Sequence, residues 1–389
     1  MNQWKAAWKS IRYRSLHHSL SVILLAISTG LILLLLNSRN SFEDSFRNNI
    51  KGIDMVVGAK GSPLQIILSS VYHIDPPTGN IPLDEYKKLI KHPLIEAAVP
   101  LSYGDNFRSW RIVGTDSNYA HWYAMQLADG RGFQKSMEVV LGSAVAEATG
   151  LQVGDTFEGS HGLNQEAEEH HHHPFKVVGI YQPSGTVLDE LILCPTASLW
   201  DVHEHTDGPK EITAALIRFK SPMANIMLPR MVNEKTPMQA ALPAIEVNRL
   251  FSLADSFVQF LNILAYLLIG IAALSVFLAL FQGLKDDEPQ FAFLRAIGSP
   301  PSRILKFILV KGLIIGLISY FIALILNIIA FQFIGTLVSP AYQLSTSEVL
   351  FNWNSIYTLL ALIGVVIIAS VLPAWHAYRI NIIKTLAHA

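Results

Sequence analysis

Four stretches of the chain are apolar almost without interruption, and the segments between them are mixed. They are "SLSVILLAISTGLILLLL" from Ser19, "FVQFLNILAYLLIGIAALSVFLALFQGL" from Phe257, "ILKFILVKGLIIGLISYFIALILNIIAFQFIGTLV" from Ile304 and "SIYTLLALIGVVIIASVL" from Ser355. A helix crosses a hydrocarbon core of roughly 30 Å in about 20 residues, and each run is long enough for that or nearly so. The pattern predicts an α-helical membrane protein with four transmembrane helices at 18–37, 256–284, 304–338 and 354–375. It also predicts a large mixed α+β extracytoplasmic domain, 38–255, between the first and second helices. The first run follows a basic segment but continues into "NSRNSFED" without a small-x-small cleavage site, so it reads as a retained anchor and not a signal peptide.

Weaker periodicities flank the spans. Trp4, Trp8 and Ile11 recur at helical spacing beside a face of Lys5, Lys9 and Arg12, which predicts an amphipathic helix in the membrane interface over 1–17. Phe42, Phe46 and Ile50 form an apolar stripe after the first span, and Leu250, Ala254, Phe257 and Leu261 form another at the second. Two such stripes predict stalk helices that pack together at the ends of the external domain. Inside that domain "IDMVVGA", "WRIVGT", "EVVLG", "FKVVGIY" and "ELILC" read as strands. "LDEYKKLIKH" and "SAVAEATGL" read as helices, and about 220 residues suffice for one or two compact lobes.

Composition agrees: 51% of residues are hydrophobic and 15% are charged, against about 25% charged in soluble domains. A net charge of −1 without a polybasic tract leaves no support for nucleic-acid binding. Lys and Arg flank the first span on its N-terminal side, fill 285–303 between the second and third, and follow the fourth in 376–389, whereas the loop 339–353 has none. Short basic loops stay on the cytoplasmic side, which predicts cytoplasmic termini and an outside domain. Cys194, the only cysteine, permits no intramolecular disulfide, and its "LILCP" setting suits a buried strand.

The stretch "KDDEPQFAFLRAIGSPPSRILKF" interrupts two apolar runs. Pro289 suits a first helical turn, the acids before it suit the N-terminal dipole, and Gly298 with Pro300 and Pro301 would end the helix. This predicts a separate helix of about ten residues, too short to span, lying at the cytoplasmic surface or docked into a partner. The pattern E-x-x-x-x-x-L-R-A-I-G followed by Arg303, Ile304 and a long apolar run resembles the loop between the second and third spans of FtsX/MacB/LolC-type ABC transporter permeases. "VVLGSAVAEATGLQVGDTF", "FKVVGIYQPSG" and "LILCP" are similar to that family's external domain, "LPAWHAYRINIIKTL" to its C-terminal ending, and one span, a large domain and three spans to its layout.

The resemblance implies that the short helix couples to a separate cytoplasmic ATPase, with Glu288, Phe291, Leu294, Arg295, Ala296 and Gly298 as coupling residues. It implies a bacterial inner-membrane permease subunit, paired with an identical or different permease copy, that turns ATP hydrolysis into extracytoplasmic movement for export or release of a cargo such as a lipid, a lipoprotein or a metal-related one. Membrane lipids and a periplasmic or outer-membrane protein are further candidate partners. The chain contains no G-x-x-x-x-G-K-[ST] loop, so no intrinsic cofactor is expected and ATP would act through the partner. Two other readings stay open: an FtsX-like signalling subunit that activates an extracytoplasmic enzyme, and a membrane-anchored metalloenzyme.

The spans contain scattered polar residues and no acid, which disfavours an ion path through the bilayer. Lys311 stands early in the third span, where permeases of this type often carry an acid, and is near enough to the cytoplasmic end to snorkel. Gly312 and Gly316 form a G-x-x-x-G that suits either a dimer interface or internal packing. Finally, "SHGLNQEAEEHHHHPF" brings His161, His170, His171, His172 and His173 into one insertion, and "WDVHEHTDG" offers His203 and His205. Neutral imidazoles suit Zn²⁺ or another divalent transition metal, and a pH-sensitive or solvated loop is the competing reading. Neither cluster matches H-E-x-x-H.

Overall fold

The computed structural model describes residues 3–13, 15–161, 174–202, 209–338 and 352–378. They form two compact units, one of membrane helices and one external.

The membrane unit contains α1 (Gln3–Tyr13), the first part of α2 (Ser15–Asn49), most of α9 (Pro243–Ala296), α10 (Pro301–Val338) and α11 (Trp353–Tyr378). Four segments are apolar and long enough to cross a membrane: His18–Arg39, Asp255–Ala296, Pro301–Phe333 and Trp353–Tyr378. Only 28% to 44% of each apolar window is buried within the chain, so most of that surface needs an apolar surrounding. Helices suit that medium because they satisfy their own backbone groups. The interior of the bundle is built from Leu25, Leu33, Val276, Leu280, Ile308, Ile315, Leu362 and Val366.

Small and polar residues set how closely these helices approach. A Cβ on Gly312 would collide with Ser370 Oγ, and one on Gly316 would lie 3.1 Å from Val366 Cγ2. The two glycines therefore bring α10 against α11 within the chain. Asn37 donates to Asn327 Oδ1 (3.5 Å), Asn327 donates to the Gly30 carbonyl (3.3 Å), and Asn354 donates to Asn37 Oδ1 (3.3 Å). The Tyr320 hydroxyl donates to the Ser355 carbonyl at 2.7 Å. These bonds link α2, α10 and α11, and a buried amide that finds another amide avoids the cost of facing hydrocarbon.

Lys311 does not extend to the surface of the bundle. It is 3% exposed and its Nζ donates to Ser10 of α1 at 3.1 Å. Ala7 and Ile11 of α1 join the bundle interior, while Trp4 and Trp8 are about half exposed. The packed face of α1 is therefore Ala7 and Ile11, and the tryptophans are left for the membrane interface.

The external unit is a mixed sheet. Its strands are β1 (Met55–Ala59), β3 (Ile95–Phe107), β4 (Trp110–Thr115), β5 (Leu127–Gly130), β6 (Glu138–Leu141), β9 (Phe175–Tyr181), β10 (Leu191–Pro195), β12 (Ala214–Phe219) and β13 (Met238–Ala241). They run in the order β13-β1-β12-β3-β4-β10-β6-β9-β5, with β7 (Thr156–Phe157) beside β9 and β8 (Ser160–His161) beside β3. A separate small pair joins β2 (Ile81–Pro82) to β11 (Glu211–Ile212). β10 lies parallel to β4 and β6 parallel to β9, and the other pairs are antiparallel.

Both faces of the sheet are buried, which the alternation of the strands reports directly. Val56, Leu216, Val113, Leu193 and Val140 point to one face; Val57, Ile217, Ile112, Ile192 and Leu141 point to the other. On the first face lie α3 (Pro63–Ser70) and α5 (Ser117–Trp122), and on the second α4 (Leu83–Leu89), α6 (Ser143–Thr149), α7 (Thr196–Val202) and α8 (Ala224–Lys235). Cys194 is fully buried on the second face, and burial pushes its thiol pKa up.

The sequence pattern did not reveal β3, β12 or β13. β3 contains Pro100 and Gly104 and is irregular between Tyr103 and Asn106, while β12 and β13 carry adjacent alanines in place of a β-branched run. Their partners on both sides hold them in the sheet.

If the two glycines set the approach of α10 and α11, Gly312→Leu should lower stability by about 1–3 kcal/mol, the usual cost of overpacking. Gly364→Leu should not, because a Cβ there meets nothing within 4 Å. Thermal unfolding of both variants in nanodiscs checks this, and equal midpoints would contradict it.

Candidate functional sites at the ends of the long helices

The acidic stretch before Pro289 does not begin a new helix. α9 continues through Pro289 to Ala296, 54 residues in all, with a contour of about 81 Å. Proline inside a helix removes one hydrogen bond and costs about 3 kcal/mol, which is why the sequence suggested a start there. Packing on both sides outweighs that cost: Leu280 and Leu284 before the proline and Phe291 after it contact the same bundle interior, and Ala292 is fully buried.

The helix ends at Gly298. Its φ of +94° is left-handed, its N–H donates to the Arg295 carbonyl, and the Ser299 N–H reaches back to the Leu294 carbonyl, both at 3.0 Å. These two bonds are a Schellman cap, and they leave Pro301 to start α10. Of the residues assigned to coupling, Glu288, Arg295, Ala296 and Gly298 lie on this last stretch and its cap. Phe291 and Leu294 do not share one exposed face. Phe291 turns inward to Phe307, with ring centroids 5.9 Å apart, whereas Phe293, Leu294 and Ile297 are 60%, 43% and 66% exposed. The exposed apolar set at this turn therefore excludes Phe291 and consists of Phe293, Leu294 and Ile297.

At the other end, α2 terminates inside the external unit. The Tyr72 hydroxyl donates to the Phe46 carbonyl (2.9 Å) and the Tyr123 hydroxyl to the Asn49 carbonyl (2.7 Å). The Val187 N–H donates to Asn49 Oδ1 (2.9 Å), and Arg218 Nε donates to the Gly52 carbonyl (3.0 Å). Phe46 lies 4.5 Å from the Tyr72 ring and 5.7 Å from Phe251 of α9. Val247 and Phe251, with Phe46 and Ile50, join the core on the first face of the sheet. The apolar stripe assigned to α9 is rotated from this face: Phe257, at its centre, is 65% exposed.

Close to the α2 terminus lies a buried histidine that no sequence motif singles out. His73 has a φ of +55°, its Nε2 pairs with the Tyr119 hydroxyl at 2.9 Å, and its Nδ1 pairs with the Tyr103 hydroxyl at 3.0 Å. Tyr103 also donates to the Ser69 carbonyl at 3.1 Å. Burial, and secondarily the nearby Arg111 guanidinium, lowers the His73 pKa from 6.5 to about 3. Burial likewise raises Tyr103, Tyr119 and Tyr123. The cluster is neutral and its members exchange hydrogen bonds.

His161 occupies β8, beside Asp105 of β3. His170, His171, His172, His173, His203 and His205 lie outside the described residues. Among the described residues no group of three His, Cys, Asp or Glu is placed to hold a metal ion.

Residues 19–226, more than half of the chain, match the MacB-like periplasmic core domain, and residues 262–382 match the FtsX-like permease C-terminal domain. The chain belongs to the MacB/FtsX-type ABC transporter permeases. No curated protein matches the sequence. Among solved structures the permease is similar to the periplasmic region of MacB from Actinobacillus actinomycetemcomitans, at 15% identity and a TM-score of 0.36, over 52% of this chain and 95% of that one. It is also similar to the extracellular domain of the noncanonic ABC-type transporter YknZ from Gram-positive bacteria, at 13% identity and a TM-score of 0.32, over 48% and 98%. Family membership and the four apolar helices place the permease in the bacterial inner membrane, as the transmembrane subunit of a transporter whose ATPase is a cytoplasmic partner.

A histidine kept neutral by folding makes stability depend on pH. The unfolded chain binds a proton at His73 below about 6.5 and the folded chain only near 3, so this contribution is full above 6.5 and is lost as pH falls towards 3. His73→Gln, which keeps a polar side chain but cannot titrate, should flatten the decline of the thermal midpoint across that window. An unchanged slope would remove His73 as its source.

Proposed function

We propose that this permease is a mechanical transmitter, which passes ATP-driven motion of its partner ATPase to the external domain and so drives export or release of a cargo on the outer side. The single observation that carries the reading is that α9 is one unbroken helix from Pro243, one residue after β13, to the capped turn at Gly298. A hydrogen-bonded helix resists axial compression and bending, so displacement at one end is felt at the other. The predicted spans supply no acidic group for an ion path, and Asn37, Asn327 and Asn354 are bonded among themselves, which favours transmission over conduction.

In this reading both termini and the 285–303 turn are cytoplasmic, following the distribution of Lys and Arg. The ATPase docks on the exposed Phe293, Leu294 and Ile297, and a second permease copy completes the transporter. The external domain receives the motion through the first sheet face, where Tyr72, Tyr123 and Asn49 fix the end of α2.

Replacing Phe293, Leu294 and Ile297 together with Ala should weaken ATPase docking by on the order of 3 kcal/mol or more, about a hundredfold in affinity. Phe291→Ala should instead destabilise the permease and leave docking by the surviving folded fraction intact. Co-purification from the membrane, with the ATP turnover of the complex, distinguishes the two. A triple variant that retains its ATPase and its stimulation would refute this docking face.

A further inference from the structure

Arg111, on β4, lines two clefts of the external domain. One is about 260 Å³ and is walled by Tyr72, His73, Ile74, Trp110, Val187 and Glu190. The other is about 270 Å³ and includes Pro76, Pro77, Tyr103 and Asp105. Each is near the small end of ligand pockets, which begin at roughly 300 Å³.

The guanidinium is held but not neutralised. Arg111 Nη2 donates to the Ile74 carbonyl at 3.4 Å, and the guanidinium carbon is 5.9 Å from the centre of the Tyr103 ring. Among the described residues no carboxylate forms an ion pair with it. A guanidinium has five N–H donors in a planar fork that matches a carboxylate or phosphate, so the remaining donors suit an oxyanion. Trp110 and Ile74 add apolar wall for an attached body. Glu190 in the first cleft and Asp105 in the second disfavour a second negative charge on the ligand.

The wall of the first cleft also holds the last turn of α2. Tyr72 bonds the Phe46 carbonyl, Val187 bonds Asn49 Oδ1, and His73 bonds Tyr119, whose ring lies 5.5 Å from that of Tyr123, the donor to the Asn49 carbonyl. A molecule filling the cleft restrains the residues that restrain the helix.

We propose that Arg111 anchors a ligand site for a singly charged oxyanion, a carboxylate or phosphodiester on an apolar body, and that occupancy of the site stiffens the end of α2. The part concerning α2 rests on the transmission reading; the binding site does not. Such an anion reaches the site as a soluble molecule or as a lipid headgroup, and the two sources are distinguished by probe.

The test uses the full chain in phosphatidylcholine nanodiscs without the ATPase, so its outcome is independent of the docking experiment. Phenylacetate and dihexanoyl phosphatidylglycerol are titrated separately, with affinity read by calorimetry and backbone exchange followed over residues 46–53. The expected result is saturable binding that weakens at least tenfold in Arg111→Gln, less in Arg111→Lys, and not in Arg108→Gln, with slowed exchange at 46–53 in the wild type. Tighter binding of phenylacetate assigns a soluble ligand, and tighter binding of the phosphatidylglycerol assigns a lipid. If Arg111→Gln fails to fold, Arg111→Lys gives the decision by its loss of affinity. Affinity that is the same with Arg, Lys and Gln at position 111, or no binding of either probe, overturns the site. Arg111-dependent binding with unchanged exchange overturns its link to α2.

Discussion

The last turn of a helix leaves carbonyl groups that no residue of the helix can satisfy, and at the end of α2 they are met by fixed groups of the external domain. Tyr72 reaches Phe46, Tyr123 reaches Asn49, the Lys51 and Ile53 N–H groups take Asn48 and Ile50, and Arg218 takes Gly52. A helix end solvated by water is free to fray, whereas this one moves only with the sheet that carries its partners. The Phe46–Phe251 contact places the start of α9 against the same core, so both long helices are tied to one buried face.

The membrane bundle meets a different constraint in the same currency. Its polar groups have no water to turn to, and the amides of Asn37, Asn327 and Asn354 bond to one another and to Gly30. Lys311 follows the same logic by donating to Ser10. Where Gly312 and Gly316 remove side chains, dispersion contacts between α10 and α11 take the place of a hydrophobic drive that hydrocarbon does not provide. The unit is therefore held by close approach and by internal pairing, while its outer apolar side chains face the bilayer.

Burial on both faces gives the external sheet its stability and also its sensitivity. His73 is neutral because desolvation and Arg111 disfavour its charge, and its ring nitrogens are spent on Tyr103 and Tyr119. A proton or a ligand that perturbs this cluster acts within one or two side chains of the α2 terminus. The buried His73–Tyr119 pair and the end of α2 are linked through Tyr123.

The sequence by itself determined the parts whose physics is local. Spans follow from the length of an apolar run, the strands "WRIVGT", "FKVVGIY" and "LILCP" from β-branched apolar stretches, and the stop at Gly298 from the freedom of glycine at positive φ. The membrane-permease reading needed no more than these and the resemblance they carry. Tertiary structure alone decided the rest. Pro289 sits inside a helix because packing on both sides exceeds its local cost, and Phe291 points inward while Phe293 points out because Phe307 happens to face it. The alanine-rich β12 and β13 are strands because their neighbours need partners, and His73, Arg111, Tyr119 and Asn49 come together across up to 70 residues of sequence because the fold brings a loop, a strand and two helices to one place. Periodicity reports which side of an element is apolar; it does not report what that side touches.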